Sequence, residues 1–208
     1  MTAPRFITLE GGEGAGKSTQ IKRLAARLIE AGRKVTVTRE PGGSPGAEAI
    51  RALLVSGDTA RWTPLGETLL HFAARQEHLE ATIRPALARG DFVLCDRFVD
   101  STFAYQGAAQ GLDPAVIEAL AARVIGDTMP ALTLILDLPV VQGLERAGVR
   151  GGEDRYERMG TAFHETLRAT FLARAKADPA RCKVIDASGD EDTVARQIWH
   201  SVTLHLPY

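Results

Sequence analysis

The sequence predicts an α/β fold, a doubly wound five-stranded parallel sheet with helices on both faces. Two observations lead to this prediction. Five short apolar runs alternate with segments of helical periodicity, which is the order expected of a parallel sheet with crossover helices. Most of the runs are continuously apolar, as expected for strands that are covered on both faces. The chain has 208 residues, 45% of them hydrophobic, and no linker-like tract, so we expect a single domain, 1–208.

The predicted strands and helices follow one another along the whole chain. The strands are expected at 6–10, 35–38, 92–95, 132–137 and 182–186. The helices are expected at 17–31, about 65–83, 114–125, from near 154 to beyond 171, and about 191–204. Pro85 is expected to break or restart the second helix, because proline has no N–H to donate.

Apolar residues spaced three or four apart predict the buried stripe of several helices. The stripe residues are Ile21, Leu24, Leu28 and Ile29 in the first helix, Leu65, Leu69, Phe72 and Leu79 in the second, and Tyr156, Met159, Phe163, Leu167 and Phe171 in the fourth. Two glycine-rich stretches, 40–46 and 148–152, are predicted to be mobile loops that could close over a substrate.

Composition limits the partners and the compartment. The formal net charge of −1 gives no bulk attraction to a nucleic acid polymer or to a membrane, and no apolar run reaches membrane-spanning length. Cys95 and Cys182 lie far apart beside predicted strands, which favours free thiols in a reducing compartment over a disulfide framework. With no secretory signal visible at the start, we expect a cytoplasmic protein.

The most informative motif is Gly11–Ser18, which reads Gly-Gly-Glu-Gly-Ala-Gly-Lys-Ser. It matches the phosphate-binding pattern G-x-x-x-x-G-K-[ST], and it lies between a predicted strand and a predicted helix, as this pattern requires. Its glycines allow several N–H groups to point at one anion, and the helix N-terminus adds partial positive charge. Lys17 is expected to reach the outer phosphates of a nucleoside triphosphate, and the Ser18 hydroxyl to hold Mg²⁺.

A second candidate site follows the predicted third strand, where Asp96 and Arg97 come directly after the apolar run. Ligands bind at the carboxyl ends of strands in open α/β sheets. Asp96 is a candidate carboxylate on the Mg²⁺ side, and Arg97 could form forked hydrogen bonds to a phosphate. An ordinary surface Asp–Arg pair is the alternative.

A phosphate-binding loop alone does not separate kinases from GTPases or motors. The chain lacks the Asn-Lys-x-Asp segment by which GTPases read guanine. Phe72 and Arg75 lie three apart on one predicted helix face, where the ring could stack on a base and the guanidinium could donate to its carbonyl edge. From the pattern alone, a core position for Phe72 and a solvated Arg75 are the more common arrangement.

A set of motifs across nearly the whole chain resembles the thymidylate kinase family. They are Thr8-Leu9-Glu10-Gly11 running into the phosphate loop, Thr38-Arg39-Glu40-Pro41-Gly42-Gly43, Asp96-Arg97 with Ser101, Ala104-Tyr105-Gln106-Gly107, Leu136-Asp137 and the arginine-rich segment 146–155. The resemblance implies a P-loop kinase fold with a short lid at about 143–156, the reaction ATP + dTMP → ADP + dTDP with Mg²⁺, and a homodimer.

The resemblance also implies roles for single residues. The ATP phosphates would be wrapped by Gly11, Gly12, Glu13, Gly14, Ala15, Gly16, Lys17 and Ser18. Glu13 would also lie near the 3′-hydroxyl of the acceptor sugar, and Arg97, with Arg39 nearby, would grip the dTMP phosphate. Phe72 would stack on thymine and Arg75 would donate to its carbonyl oxygen. Ser101 and Gln106 would line the base pocket, and Tyr105 would crowd the 2′ position of the sugar.

In this family a catalytic arginine comes either from the phosphate loop or from the lid. The variable loop positions here are Gly12, Glu13, Gly14 and Ala15, none of them basic, whereas the lid carries Arg146, Arg150 and Arg155. The chain therefore resembles the bacterial type with a lid-borne arginine. Arg150 is the preferred candidate because the glycines around it would let it swing inward.

Two other functions remain open from the residues. One is a P-loop kinase for a different small acceptor, such as another nucleoside monophosphate or a nucleoside. The other is a regulatory protein that binds ATP without turning it over.

Overall fold

The computed structural model describes residues 5–150, 156 and 158–206, with residues 149 and 150 described by their backbone alone. Within this part of the chain, five strands form one parallel sheet in the order β2-β3-β1-β4-β5. The strands are β1 (Phe6–Gly11), β2 (Val35–Arg39), β3 (Phe92–Asp96), β4 (Leu132–Asp137) and β5 (Cys182–Asp186). The prediction of five strands and a doubly wound parallel sheet is confirmed, with each boundary within one residue of its expected place.

Helices occupy the connections between the strands. They are α1 (Lys17–Glu30), α2 (Pro45–Val55), α3 (Pro64–His78), α4 (Arg84–Ala88), α5 (Val99–Thr102), α6 (Pro114–Val124), α7 (Val140–Arg150), α8 (Thr161–Ala177) and α9 (Glu191–His205). Two π-helical turns, Leu79–Ile83 and Phe103–Ala109, continue α3 and α5. None of the helices in the described part of the chain is long and apolar enough to cross a membrane.

Apolar side chains cover the sheet on both faces, as the continuous apolar strands predicted. On one face, Ile7 and Leu9 of β1 pack with Leu24 and Leu28 of α1 and with Ile198 of α9. On the other face, separate clusters join β3 to α3, α4, α5 and α6, and β4 to α8. Because the strands are parallel, their carboxyl ends all lie at one edge, where the loops after β1 and β3 meet.

Several predicted helix features are wrong. The helix expected from near 154 begins at Thr161, so Tyr156 and Met159 precede it. Helix α2 was missed, although Ser44 caps it by accepting from Ala47 N and Pro45 occupies its first turn. The backbone of residues 148–150 is helical, where a mobile loop was expected.

The predicted apolar stripes are partly wrong as well. Leu65 and Leu69 of α3 are 46% and 49% exposed, and Ile29 of α1 is exposed too, because the buried faces of these helices lie elsewhere. Pro85 acts as predicted, since the helix after His78 changes to a π-helical turn and α-helix resumes at Arg84.

Candidate active site

The phosphate-binding motif lies between β1 and α1, as predicted. Gly16 caps α1 with a φ of 86°, a left-handed conformation that glycine adopts without strain. The Lys17 side chain is buried, and its ammonium donates to the carbonyl oxygens of Gly11 at 3.2 Å and Gly12 at 2.8 Å. These bonds fold the lysine back over the loop, where its charge faces the space in front of the helix N-terminus.

The loop also makes a close backbone contact with α7, the helix that begins the predicted lid. A Cβ on Gly14 would lie 1.9 Å from the carbonyl oxygen of Gly143, and a Cβ on Gly143 would lie 2.4 Å from that of Glu13. Only glycine fits at both positions, and Gly14 has a φ of 68°. The phosphate-binding loop therefore rests directly on the first turns of α7.

Ser18 and Asp96 bring the ends of α1 and β3 together. The Ser18 hydroxyl donates to Asp96 Oδ2 at 2.8 Å. Two oxygen ligands beside a phosphate site are of the kind that Mg²⁺ uses when the rest of its shell comes from water and phosphates. The two residues predicted to hold Mg²⁺ thus fit a single ion.

Arg97 reaches from the end of β3 back to the phosphate loop. Its backbone has a φ of 67°, which is uncommon for a residue with a side chain. The guanidinium donates to the Gly11 carbonyl at 3.0 Å, to Ser101 Oγ at 3.2 Å and to Glu13 Oε1 at 2.6 Å. The loops after β1 and β3 are therefore joined through this one side chain.

Glu10, the last charged residue of β1, supports the turn that carries Arg97. Its carboxylate is fully buried and accepts from Phe98 N at 2.8 Å, Ser101 N at 3.3 Å and Ser101 Oγ at 2.6 Å. Burial and the nearby Asp100 raise the pKa of Glu10 to about 7. Glu10 satisfies the N–H groups that follow the left-handed Arg97 and so stabilises that conformation.

Glu13 lies at the centre of the charged cluster. Besides accepting from Arg97, its Oε1 accepts from the Tyr105 hydroxyl at 2.8 Å. Burial by itself would raise the pKa of Glu13, but the charges of Arg97 and Lys17 lower it to about 2. The carboxylate is therefore ionised at neutral pH and balances one of the two cations.

A cleft of about 360 Å³ opens in front of these groups. The predicted site residues that line it are Glu13, Gly14, Ala15, Gly16, Lys17, Ser18, Arg39, Arg75, Asp96, Arg97, Ser101, Tyr105 and Gln106. Gly11 and Gly12 instead border a smaller hollow beneath the loop, together with Asp137 and Arg168. Lys17 and Arg97 thus face one shared cleft, the arrangement on which the sequence interpretation depends.

Arg75 lies on the wall of this cleft and is only 2% exposed. Its Nε donates to Glu40 Oε2 at 2.8 Å and its Nη2 to Thr102 Oγ1 at 3.1 Å. Its Nη1 is buried and has no hydrogen-bond partner among the described residues. The guanidinium is therefore held in place with one nitrogen unpaired among the described residues, whereas the solvated Arg75 of the alternative interpretation is not what the structure shows.

Phe72 occupies a different place from the one expected for a stacking ring. It is 3% exposed, belongs to the core cluster that includes Phe6 and Phe98, and is not among the residues that line the cleft. His71 lines the cleft instead, one residue earlier and one helical turn before Arg75. The sequence interpretation missed His71, although the four-residue spacing to Arg75 was a signal that could have found it.

A buried carboxylate that the sequence interpretation also missed lies behind Gln106 and Tyr156, two residues that line the cleft. Glu67 of α3 is fully buried, and its Oε1 accepts from Gln106 Nε2 at 2.6 Å, from Gln110 Nε2 at 2.9 Å and from the Tyr156 hydroxyl at 2.9 Å. An acidic residue in the first turn of a helix usually only complements the helix dipole, so the pattern gave no signal for this network.

The remaining candidates lie at the rim or beyond the described side chains. Arg39 lines the cleft but is paired with Glu48 at 2.9 Å. Arg146 donates to the carbonyl oxygen of Ala187 at 3.3 Å. The side chain of Arg150 and the whole of Arg155 lie outside the described residues, so the predicted lid-borne arginine stays a prediction.

The parallel sheet, the phosphate-binding loop and a facing arginine in one cleft define the class of P-loop nucleotide kinases. The sequence model of the thymidylate kinase family matches residues 9–198. The chain belongs to the thymidylate kinase family.

Individual relatives agree with this assignment. The chain is 60% identical over 206 residues to a thymidylate kinase of Caulobacter vibrioides, covering 99% of both chains. It is 54% identical over 205 residues to one from Afipia carboxidovorans, covering 97% of this chain and 90% of the relative. The crystal structure of thymidylate kinase from Ehrlichia chaffeensis is similar with a TM-score of 0.78 and 34% identity, over 95% of this chain and 97% of that one.

Proposed function

We propose that this protein transfers the γ-phosphoryl group of ATP to dTMP, giving ADP and dTDP, with Mg²⁺ as cofactor. The observation that carries the proposal is the shared cleft, in which Lys17 of the phosphate loop and Arg97 after β3 lie on facing segments. A donor phosphate at the first and an acceptor phosphate at the second would meet end to end. Membership of the thymidylate kinase family supports this choice of reaction.

At the donor end, the loop N–H groups and the N-terminus of α1 bind the ATP phosphates, and Lys17 reaches the outer ones. Ser18 and Asp96, whose side-chain oxygens lie 2.8 Å apart, would hold Mg²⁺ beside these phosphates. The bound ion supplies charge neutralisation on the phosphate oxygens. This assignment predicts that Asp96→Asn raises the Mg²⁺ concentration needed for half-maximal rate, which a Mg²⁺ titration measures.

At the acceptor end, Arg97 binds the dTMP phosphate. Arg97 N–H groups now donate to Glu13 and to the Gly11 carbonyl. To bind the phosphate, some of these N–H groups turn toward it. The base lies against the α3 wall beside Arg75, whose Nη1 has no hydrogen-bond partner among the described residues. His71, which lines this wall, is better placed for contact with the base than Phe72.

The protein has little covalent chemistry to perform. The acceptor oxygen belongs to a phosphate and is largely ionised at neutral pH, so catalysis consists of positioning and charge neutralisation. Arg150 completes the set of positive charges when the lid, about 143–156, closes and excludes water. Gly143 of α7 packs on Gly14 of the phosphate loop. Lid closure and phosphate binding therefore both affect this contact.

We further propose a cytoplasmic homodimer whose protomer is one domain, 1–208. The two cysteines are free and buried, as suits a reducing compartment. Leu65 and Leu69 lie one turn apart and exposed on α3, and a second copy of the chain would cover them. Leu69→Glu should therefore produce monomers in sedimentation experiments, whereas Leu204→Glu, an exposed leucine on α9, should not.

An acceptor panel tests the proposed reaction. ADP formation is measured with ATP and dTMP, dUMP, dCMP or dAMP in turn. We expect the highest kcat/KM with dTMP and weaker activity with dUMP, because one methyl group is worth roughly 1–3 kcal/mol. Preference for another acceptor would contradict the assignment of dTMP, and tight ATP binding with no transfer to any acceptor would contradict the enzyme itself.

A further inference from the structure

The amide of Gln106 lies on the cleft wall, and among the described residues only its nitrogen has a hydrogen-bond partner. Gln106 is 1% exposed and lines the cleft, and its Nε2 donates to Glu67 Oε1 at 2.6 Å. No hydrogen bond to its Oε1 from the described residues is present. The nitrogen is thus turned into the protein, which leaves the carbonyl oxygen as the polar atom that a ligand can use.

We propose that Glu67 is a positioning residue for base selection: it holds the Gln106 amide in one orientation, with the oxygen toward the base, and thereby favours pyrimidines that carry an N3–H. The inference rests on the proposed function, because it takes the base to lie between Gln106 and Arg75. It goes beyond that function by naming the residue that sets the polarity of the site.

The physical reason is that Glu67 Oε1 acts as a hydrogen-bond acceptor toward each of its three neighbours, Gln106, Gln110 and Tyr156. Glu67 is fully buried, and one of its oxygens already accepts from Gln110 and Tyr156 as well as from Gln106. Turning the Gln106 amide over would place its oxygen against the Glu67 oxygen, so the two acceptors would repel each other and one hydrogen bond would be lost. A side-chain amide at position 67, which can both donate and accept, would not impose that choice.

The polarity set in this way matches one kind of base edge. Arg75 Nη1 offers a buried donor, and Gln106 Oε1 offers an acceptor. Thymine and uracil present an acceptor at O4 and a donor at N3–H, which pair with these two groups. Cytosine presents donors at N4 and an acceptor at N3. Its N4 donors would face the Arg75 donor, and its N3 acceptor would face the Gln106 oxygen, so both contacts would be unfavourable.

The test compares dUMP with dCMP, because the two differ only at positions 3 and 4 of the base and not in the methyl group. The measured quantity is the ratio of kcat/KM for dUMP to that for dCMP. Glu67→Gln lets the Gln106 amide take either orientation, and we expect the ratio to fall about tenfold or more. Gln110→Met, which alters another partner of Glu67, should leave the ratio within about threefold of the parent.

A double-mutant cycle shows whether Glu67 acts through Gln106. Gln106→Leu should lower the ratio to a similar degree, and Glu67→Gln added to it should cause no further change. An unchanged ratio in a folded Glu67→Gln protein, or additive effects in the double variant, would overturn the proposal. Should Glu67→Gln fail to fold, an unchanged ratio in Gln106→Leu would overturn it equally.

The proposed function and this inference can fail separately. Dissociation constants for dUMP and dCMP, measured by calorimetry without ATP, give the preference at the level of binding and need no turnover. A parent that binds dUMP selectively but transfers no phosphoryl group would contradict the proposed reaction alone. A parent that phosphorylates dTMP, with variants that keep the full preference for dUMP, would contradict the role of Glu67 alone.

Discussion

The Lys17 ammonium and the Arg97 guanidinium donate to the same acceptor, the carbonyl oxygen of Gly11. Two cations from opposite loops are thus held around one oxygen atom at the carboxyl edge of the sheet. Burial and the nearby charge of Arg97 lower the pKa of Lys17, because two positive charges that lie close together repel each other. Glu13 balances part of this positive charge, and bound phosphates would add more negative charge.

Arg97→Ala should reduce kcat/KM for dTMP by about a hundredfold or more, because it removes a preorganised partner of the acceptor phosphate. Most of the change should lie in the KM for dTMP, with the KM for ATP nearly unchanged. Steady-state kinetics with each substrate varied in turn measure this. Arg196→Ala, an arginine of α9 bonded only locally to Thr193, is the matched control. Equal losses for both substrates would contradict the assignment of Arg97 to the acceptor.

Arg150→Ala should lower kcat by at least about a hundredfold while the dissociation constant for dTMP changes little, because an arginine that neutralises transition-state charge acts on turnover. Arg158→Ala is a suitable control, since this exposed arginine bonds to the carbonyl oxygen of Gly57. Activity within a few-fold of the parent would show that Arg150 is not the catalytic arginine of the lid.

Tyr105 should exclude ribonucleotides through its ring. Tyr105→Ala should reduce the preference for dUMP over UMP about tenfold or more, because space opens at the 2′ position. Tyr105→Phe keeps the ring and should keep that preference, although it removes the hydroxyl that donates to Glu13. The ratio of kcat/KM for dUMP and UMP measures both variants. An unchanged ratio in Tyr105→Ala would count against this role.

Glu10 should make the stability of the fold depend on pH in a defined window. Its pKa of about 7 in the folded protein lies above the ordinary 4.5, so its contribution to stability is full below pH 4.5 and is lost as pH rises through 7. The loss is on the order of 3 kcal/mol. Chemical denaturation of the parent and of Glu10→Gln at several pH values measures it.

The parent should therefore lose unfolding free energy relative to Glu10→Gln as pH rises from 4.5 to 7. Glu118→Gln, an exposed site on α6, provides the control and should show no such shift. Identical pH dependence in the parent and in Glu10→Gln would contradict the buried, titrating carboxyl.

The sequence was sufficient for the parts of the site that depend on short-range pattern. The loop at Gly11–Ser18 and the pair Asp96-Arg97 follow apolar strands, and parallel strands bring their ends to one edge. Leu65 and Leu69 were expected in the core but are exposed in the described chain. Helical spacing identifies residues on one helix face, but it does not determine whether that face packs against the sheet.

Long-range partners account for the residues that the sequence did not reveal. Glu67 gains its role from Gln106 and Tyr156, which lie 39 and 89 positions away. Phe72 and His71 are neighbours in sequence, but successive helix positions point about 100° apart, so only the packing of α3 decides which of them faces the cleft.

Competition by a compound that joins adenosine and thymidine 5′ to 5′ through a chain of phosphates is the most direct test of the shared cleft. If Lys17 and Arg97 hold donor and acceptor anions in one continuous site, the compound should compete with ATP and with dTMP, raising the apparent KM of each. Competition against only one of the two substrates would show that their sites are separate, and would contradict the central claim.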